Sequence, residues 1–207
     1  MIVAKHHPVI DPLFKKLTRF LITRHFSSVT VVSPVIKQTS PLLILSNHIS
    51  WWDGFWIQYL NLKLLHRKLF FMMLEDQLKK HWYFRYTGGY SIRKQSKSVF
   101  ESLNYTISLL NHSNHVVFLF PQGKINSIYQ HRIQFEKGID YVVKNISNRQ
   151  TQILFVANLI DYFSHRKPHL FIYTQVINLD EIQNGNLEEC YNQFFTHVIS
   201  QHRLKTV

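Results

Sequence analysis

Short apolar runs alternate along this chain with stretches of helical periodicity, and that alternation most restricts the fold. SVTVV (28–32), PLLILS (41–46), KLFFMML (68–74), HVVFLF (115–120), TQILFVANLI (151–160) and HLFIYTQVI (169–177) carry a strand pattern, and GGYSI (88–92) reads as a turn entering another strand. Between them WDGFWIQYLNLKLL, EDQLKKHWYFRY, SKSVFESLNYTISLLN and KGIDYVVKNI read as helices, and LEECYNQFFTHVISQHRL closes the chain as an amphipathic one. Val99, Leu103, Ile107 and Leu110 show the helical spacing; Pro121 ends the 115–120 run because it cannot donate to a ladder. This order predicts an α/β fold, a single layered domain whose mixed, largely parallel sheet is flanked by helices. With 207 residues, 45% of them hydrophobic, one core and one domain over 1–207 are expected.

An N-terminal amphipathic helix is expected over about residues 8–24. Asp11 suits an N-cap and Pro12 the first helical position. Ile10, Leu13, Phe14, Leu17, Phe20 and Leu21 fall on one side, and Lys15, Lys16 and Arg19 on the other. Such a helix can lie in a lipid interface with its cations on anionic headgroups, or dock on its own core. The formal net charge of +12 calls for an anionic partner, whether a membrane surface, a phosphorylated substrate or nucleic acid. The single cysteine, Cys190, excludes an intrachain disulfide and fits a reducing compartment. The first residues lack a signal peptide's apolar centre, and no apolar run approaches the roughly 20 residues of a spanning helix. The expectation is a peripheral protein on the cytoplasmic face of a membrane.

The chemistry concentrates in SNHISWWD (46–53). His48 precedes Asp53 by five residues at the end of an apolar run, and Asn47 stands just before it. An imidazole titrates near pH 6.5 and can take a proton from a hydroxyl at neutral pH. It does so well when a carboxylate fixes its tautomer and stabilises the imidazolium. A turn into a helix after Ser50 brings Asp53 back toward His48. Arg93 and Lys94 suit phosphate oxygens. At 121–124 proline stops a strand, and glycine permits a tight turn near a ligand. His48, the turn before Arg93, and 121–124 all stand at strand ends, where ligands collect in such sheets.

NHISWWD resembles the first motif, N-H-x-x-x-x-D, of the glycerolipid and lysophospholipid acyltransferases. GGYSIRK (88–94) is similar to their second motif, a glycine followed by a strand ending in basic residues. VVFLFPQGK (116–124) is similar to the third, F-P-E-G, and FEKG (135–138) to the segment that follows. ILFVANLI lies where a fourth, proline-bearing motif belongs, with Ala157 in the proline's place. The resemblance covers a motif-bearing core of 41–161. It implies an O-acyltransferase that moves a fatty acyl group from acyl-CoA or acyl-ACP, a co-substrate rather than a cofactor, to a lipid hydroxyl such as that of 1-acylglycerol-3-phosphate. His48 is then the general base and Asp53 its orienting partner. Asn47, Gly89, Arg93, Lys94, Pro121, Gln122, Gly123 and Lys124 are the expected substrate-binding residues. Direct transfer needs no acyl-enzyme, in keeping with the lack of a Gly-x-Ser-x-Gly elbow.

The third motif departs from F-P-E-G-T-R. Gln122 replaces the carboxylate, Lys124 the threonine and Ile125 the arginine. Glutamine keeps an acceptor oxygen but loses the charge, and isoleucine removes a phosphate clamp. The acceptor is therefore either a lysophospholipid or a hydroxylated lipid without a phosphomonoester, such as a glycolipid or glycosylated pigment. A basic nucleic-acid-binding protein is disfavoured, because no binding module is present and the cations are spread along the chain. A peripheral membrane protein without catalysis is the other alternative. The paired histidines His6–His7, His112 and His115 lack a metal-site spacing, and no metal is expected.

Overall fold

The computed structural model describes residues 1–33, 36–37, 39–93, 98–182 and 186–206. Seven strands form one sheet: β1 (Ser28–Val32), β2 (Leu42–Ser46), β3 (Lys68–Leu74), β4 (Gly89–Ile92), β5 (His115–Leu119), β6 (Gln152–Asp161) and β7 (His169–Asn178). Their order is β1-β7-β6-β2-β5-β3-β4. Every neighbouring pair is parallel except β6 with β7. β6, β2, β5, β3 and β4 therefore run one way, and their C-terminal ends share one edge of the sheet. The fold is the expected mixed, largely parallel α/β layer.

β2 shows why the sheet is covered on both faces. All five of its residues are buried, so its sequence is continuously apolar up to Ser46 instead of alternating. Its alternate residues enter opposite cores. Leu43 and Leu45 pack with Val117, Leu119 and Phe155 beneath α4 (Val99–Leu109), α5 (Gly138–Lys144) and α6 (Leu187–Arg203). Leu42 and Ile44 pack with Val116, Phe118 and Leu154 beneath α1 (Ile10–His25) and α2 (Asp53–Leu60). α2 continues through a π-helical turn, Asn61–Leu65, into His66 in the left-handed region. A short helix α3 (Glu75–Lys80) and a 3₁₀ turn (Trp82–Tyr86) fill the segment read as one helix.

Two local expectations are corrected. α1 begins at Ile10, with Val9 rather than Asp11 as N-cap. His7 does the capping: its Nδ1 accepts from the N–H groups of Val9 (3.2 Å) and Ile10 (3.4 Å). Asp11 instead accepts from Lys15 Nζ at 2.8 Å and lies 3.5 Å from His6 Nδ1. Pro12 still falls in the first turn, where its missing N–H costs no helical bond. The apolar side assigned to α1 is also divided. The helix docks through Asp11, Thr18 and Ile22, with Phe14 and Leu21 of the expected side packed partly against the core, and leaves Leu13 (64% exposed), Leu17 and Phe20 (62%) in solvent.

Residues 2–7 run along the outer edge of β4. Ile2 and Ser91 bond reciprocally, Gly88 N–H donates to the Lys5 carbonyl (3.0 Å), Lys5 N–H to Arg85 (2.8 Å) and His7 N–H to Tyr86 (3.0 Å). The strap occupies hydrogen-bonding groups that an edge strand otherwise leaves open.

Candidate active site

At the end of β2 an amide side chain continues the ladder while the main chain leaves it. Asn47 Oδ1 accepts from Asn158 N–H at 2.8 Å, and Asn47 Nδ2 donates to the Asn158 carbonyl at 2.9 Å. Asn158 Nδ2 donates to Ser46 Oγ at 3.0 Å. Asn47 and Asn158 are both fully buried. The pair fixes the point at which the chain peels away toward His48. Asn47 therefore supports the turn from within. In the sequence, the one sign of Asn158's part is an amide within the apolar run ILFVANLI, the mark of a buried polar bond.

The chain then turns into α2 and brings Asp53 onto His48. His48 Nδ1 and Asp53 Oδ2 are 2.7 Å apart. The same oxygen accepts the N–H groups of Ile49 (2.6 Å) and Ser50 (2.9 Å), and Asp53 stands at the positive end of α2. Asp53 is completely buried. That burial pushes its carboxyl above the ordinary aspartate value, against the bonds from His48, Ser50 and Ile49 that favour the ionised form. An ionised Asp53 requires the proton of the pair on Nδ1. His48 Nε2 then carries the lone pair, and it has no protein partner among the described residues. The His48 side chain retains 22% exposure, so that nitrogen belongs to a group solvent can reach.

The turn after β5 closes on the histidine from the other side. The Phe120 ring stacks on the imidazole at 4.0 Å with an interplanar angle of 8°. Gln122 Oε1 accepts His48 N–H at 2.6 Å, and Asn126 N–H donates to the His48 carbonyl at 2.9 Å. Pro121 and Gln122 are buried, and Lys124 is exposed. Gly123 has φ +61° and donates its N–H to the Phe120 carbonyl, a tight turn that favours glycine. Gln122, expected against substrate, is thus bonded to the main chain of His48. Phe120 was not singled out in sequence because a phenylalanine ending an apolar strand reads as core.

Arg93 follows β4 on the same sheet edge. Its Nη2 donates to Glu75 Oε1 at 2.6 Å, and that oxygen also receives Lys79 Nζ at 3.0 Å. These two cations hold the Glu75 carboxyl down at about 2. Glu75, at the C-terminal end of β3, was not foreseen as Arg93's partner. Gly89 lies at the opposite end of β4 from Arg93, where a Cβ would come within 2.7 Å of the Phe84 carbonyl. Its place is explained by that close packing. Lys94 lies outside the described residues.

Among the described residues no group of three or more His, Cys, Asp or Glu could hold a metal ion. A cavity of about 510 Å³ between His131–Arg132 and α6 shares no residue with the His48 cluster. In the cluster, by contrast, an imidazole is bonded to a carboxylate.

A family model described as "Acyltransferase" matches residues 28–157. The sequence matches no curated protein. Among solved structures, the 1-acyl-sn-glycerophosphate (LPA) acyltransferase PlsC from Thermotoga maritima superposes with a TM-score of 0.65 at 14% identity, over 95% of this chain and 80% of that one. At that identity the likeness is one of fold.

Proposed function

Since this chain belongs to the acyltransferase family, we propose that it moves a fatty acyl group from a thioester of coenzyme A or acyl carrier protein to the hydroxyl of a lipid. The observation that carries the reading is the bond between His48 Nδ1 and the buried Asp53. Nε2 takes the proton of the acceptor hydroxyl as its oxygen attacks the thioester carbonyl. Asp53 stabilises the imidazolium, and the proton passes to the departing thiolate sulfur. The enzyme needs no nucleophile of its own.

The acceptor we propose is a lysophospholipid of the 1-acylglycerol-3-phosphate type. Arg93 and Lys79 set two cations on the one carboxylate of Glu75, and Arg93, more than half exposed, is within reach of solvent. From β2 to β4 the sheet steps across β5 and β3, roughly 14 Å in three strand spacings. A histidine and an arginine reaching inward from those strands can span a glycerophosphate headgroup. Exposed Lys124 adds a second cation on the β5 side. A second reading, an acceptor without a phosphomonoester, is favoured by Glu75's hold on Arg93 and by Ile125 in the arginine's place.

We further propose that the protein rests on the cytoplasmic face of a membrane, where such thioesters are made. Among the described residues no helix is long and apolar enough to cross a membrane. Support comes from the exposed Val9 at the N-cap and Leu13, Leu17 and Phe20 on α1, with Lys16, Arg19 and Arg24 also exposed. The half-buried Phe14 packs on Phe55 (5.6 Å), and Phe55 on Trp51 (4.9 Å). Trp51 is 63% exposed in the catalytic turn itself. Packed rings, through buried Phe55, thereby link α1 to the turn that bears His48.

The test is thiol release from acyl-CoA or acyl-ACP with a panel of lysophospholipids, glycolipids and simple alcohols. Turnover that disappears in His48→Ala is expected. Equal turnover in that variant would refute the mechanism. Equal turnover with phosphate-bearing and phosphate-free acceptors would refute the lysophospholipid reading in favour of the second.

A further inference from the structure

The segment after β5 makes three contacts with one residue: Phe120 on the His48 ring, Gln122 Oε1 on its N–H, and Asn126 N–H on its carbonyl. From this geometry we infer that Gln122 is a positioning residue, which holds the catalytic base through a main-chain hydrogen bond. What the position supplies is an acceptor oxygen, and a neutral amide serves.

Burial supports this. Gln122 is almost wholly enclosed, and among the described residues its Nε2 has no partner. An unpaired buried donor costs free energy. Its oxygen meanwhile makes a 2.6 Å bond to the residue that carries the chemistry. Without an acceptor there, His48 N–H is stranded beneath Phe120, and the turn between β2 and α2 is free to shift. The imidazole then moves away from its line to the acceptor hydroxyl, and misplacements of about 1 Å can cost a hundredfold in rate. The same contact explains why losing the third motif's carboxylate leaves the histidine clamped.

The amide also sets the charge near the base. Asp53, from α2, is the titratable side chain bonded to the imidazole; Phe120, Gln122 and Asn126 from the β5 side and Asn158 from β6 are uncharged, and Lys124 is exposed. A carboxylate at 122 keeps the acceptor but adds negative charge beside the imidazole, which favours imidazolium. Gln122→Glu therefore separates the acceptor from the charge.

The experiment compares Gln122→Met and Gln122→Glu with the parent chain in acyl-CoA turnover, with thermal unfolding as a check on folding. The inference rests on the acyl-transfer reading. An inert parent chain, or an active His48→Ala, counts against that reading, whereas the variants judge Gln122 against an active parent. Gln122→Met is expected to lose roughly 10- to 100-fold in kcat with KM nearly unchanged. Gln122→Glu is expected to recover kcat to within about threefold at its own optimum. Its acidic limb should lie about one pH unit higher. Full turnover in folded Gln122→Met overturns the inference. So does a Gln122→Glu variant as slow as Gln122→Met, or one whose acidic limb does not move.

Discussion

Asp53 is held in a state that its surroundings make costly. Burial raises its carboxyl's affinity for a proton, while His48 and two main-chain N–H groups stabilise the anion. A carboxyl whose folded value is raised favours the native state when protonated, and that contribution is lost as pH rises through the folded value. Ionising Asp53 beside His48 therefore costs native stability rather than adding to it. Asp53→Asn should lower kcat by roughly 10²- to 10⁴-fold, as the imidazole loses its fixed tautomer. The melting temperature should be unchanged or higher, and a clear drop in it would contradict this account. Glu75 behaves in the opposite way. Its carboxyl is held at about 2 by Arg93 and Lys79, so its contribution is present above the ordinary glutamate value of about 4.5 and is lost as pH falls through about 2. Denaturant midpoints measured from pH 5 to 2 should fall less steeply in Glu75→Gln than in the parent chain.

At the scale of the element, α1 divides its labour between two faces. Asp11, Thr18 and Ile22, helped by Phe14 and Leu21, hold it to the domain, and Leu13, Leu17 and Phe20 stand exposed. Glutamate at those three exposed positions should abolish cosedimentation with anionic vesicles and leave the melting temperature within about 2 °C, because exposed positions contribute little to stability. Turnover of a water-soluble short-chain substrate pair should survive. Binding that persists in the triple variant would make α1 a purely structural helix. Where β4 begins, Gly88 has φ +101°, and a Cβ there would come within 2.0 Å of the Leu69 carbonyl. Gly54, in the first turn of α2, has nothing within 4 Å of a Cβ. Alanine at 88 should cost well over 1 kcal/mol in equilibrium unfolding, and at 54 nothing or a slight gain.

For the whole molecule, the parallel strands are what make the residues of separate motifs neighbours. β2, β5, β3 and β4 deliver His48, Gln122, Glu75 and Arg93 to one edge of the sheet. The antiparallel pair of β6 and β7 lets β6 extend past β2 so that Asn158 can meet Asn47. Net charge acts at the same scale. With +12 overall, vesicle binding should weaken as salt rises, because attraction to anionic headgroups is screened over about 10 Å at 0.1 M. Binding indifferent to salt would leave the apolar face of α1 as the whole attraction.

The linear sequence by itself determined the layered α/β class, through apolar runs whose length and alternation allow little else. It also determined the His48–Asp53 pair, because a five-residue spacing across a strand-to-helix turn is a local geometric matter. Contacts between residues far apart along the chain were decided by the tertiary structure: Asn47 with Asn158, His48 with Phe120 and Gln122, and residues 2–7 along β4. So was the face by which α1 docks, since helical periodicity identifies an apolar side without saying what lies against it. Local spacing follows from backbone geometry alone; which strand ends become neighbours depends on the order of the strands in the folded sheet.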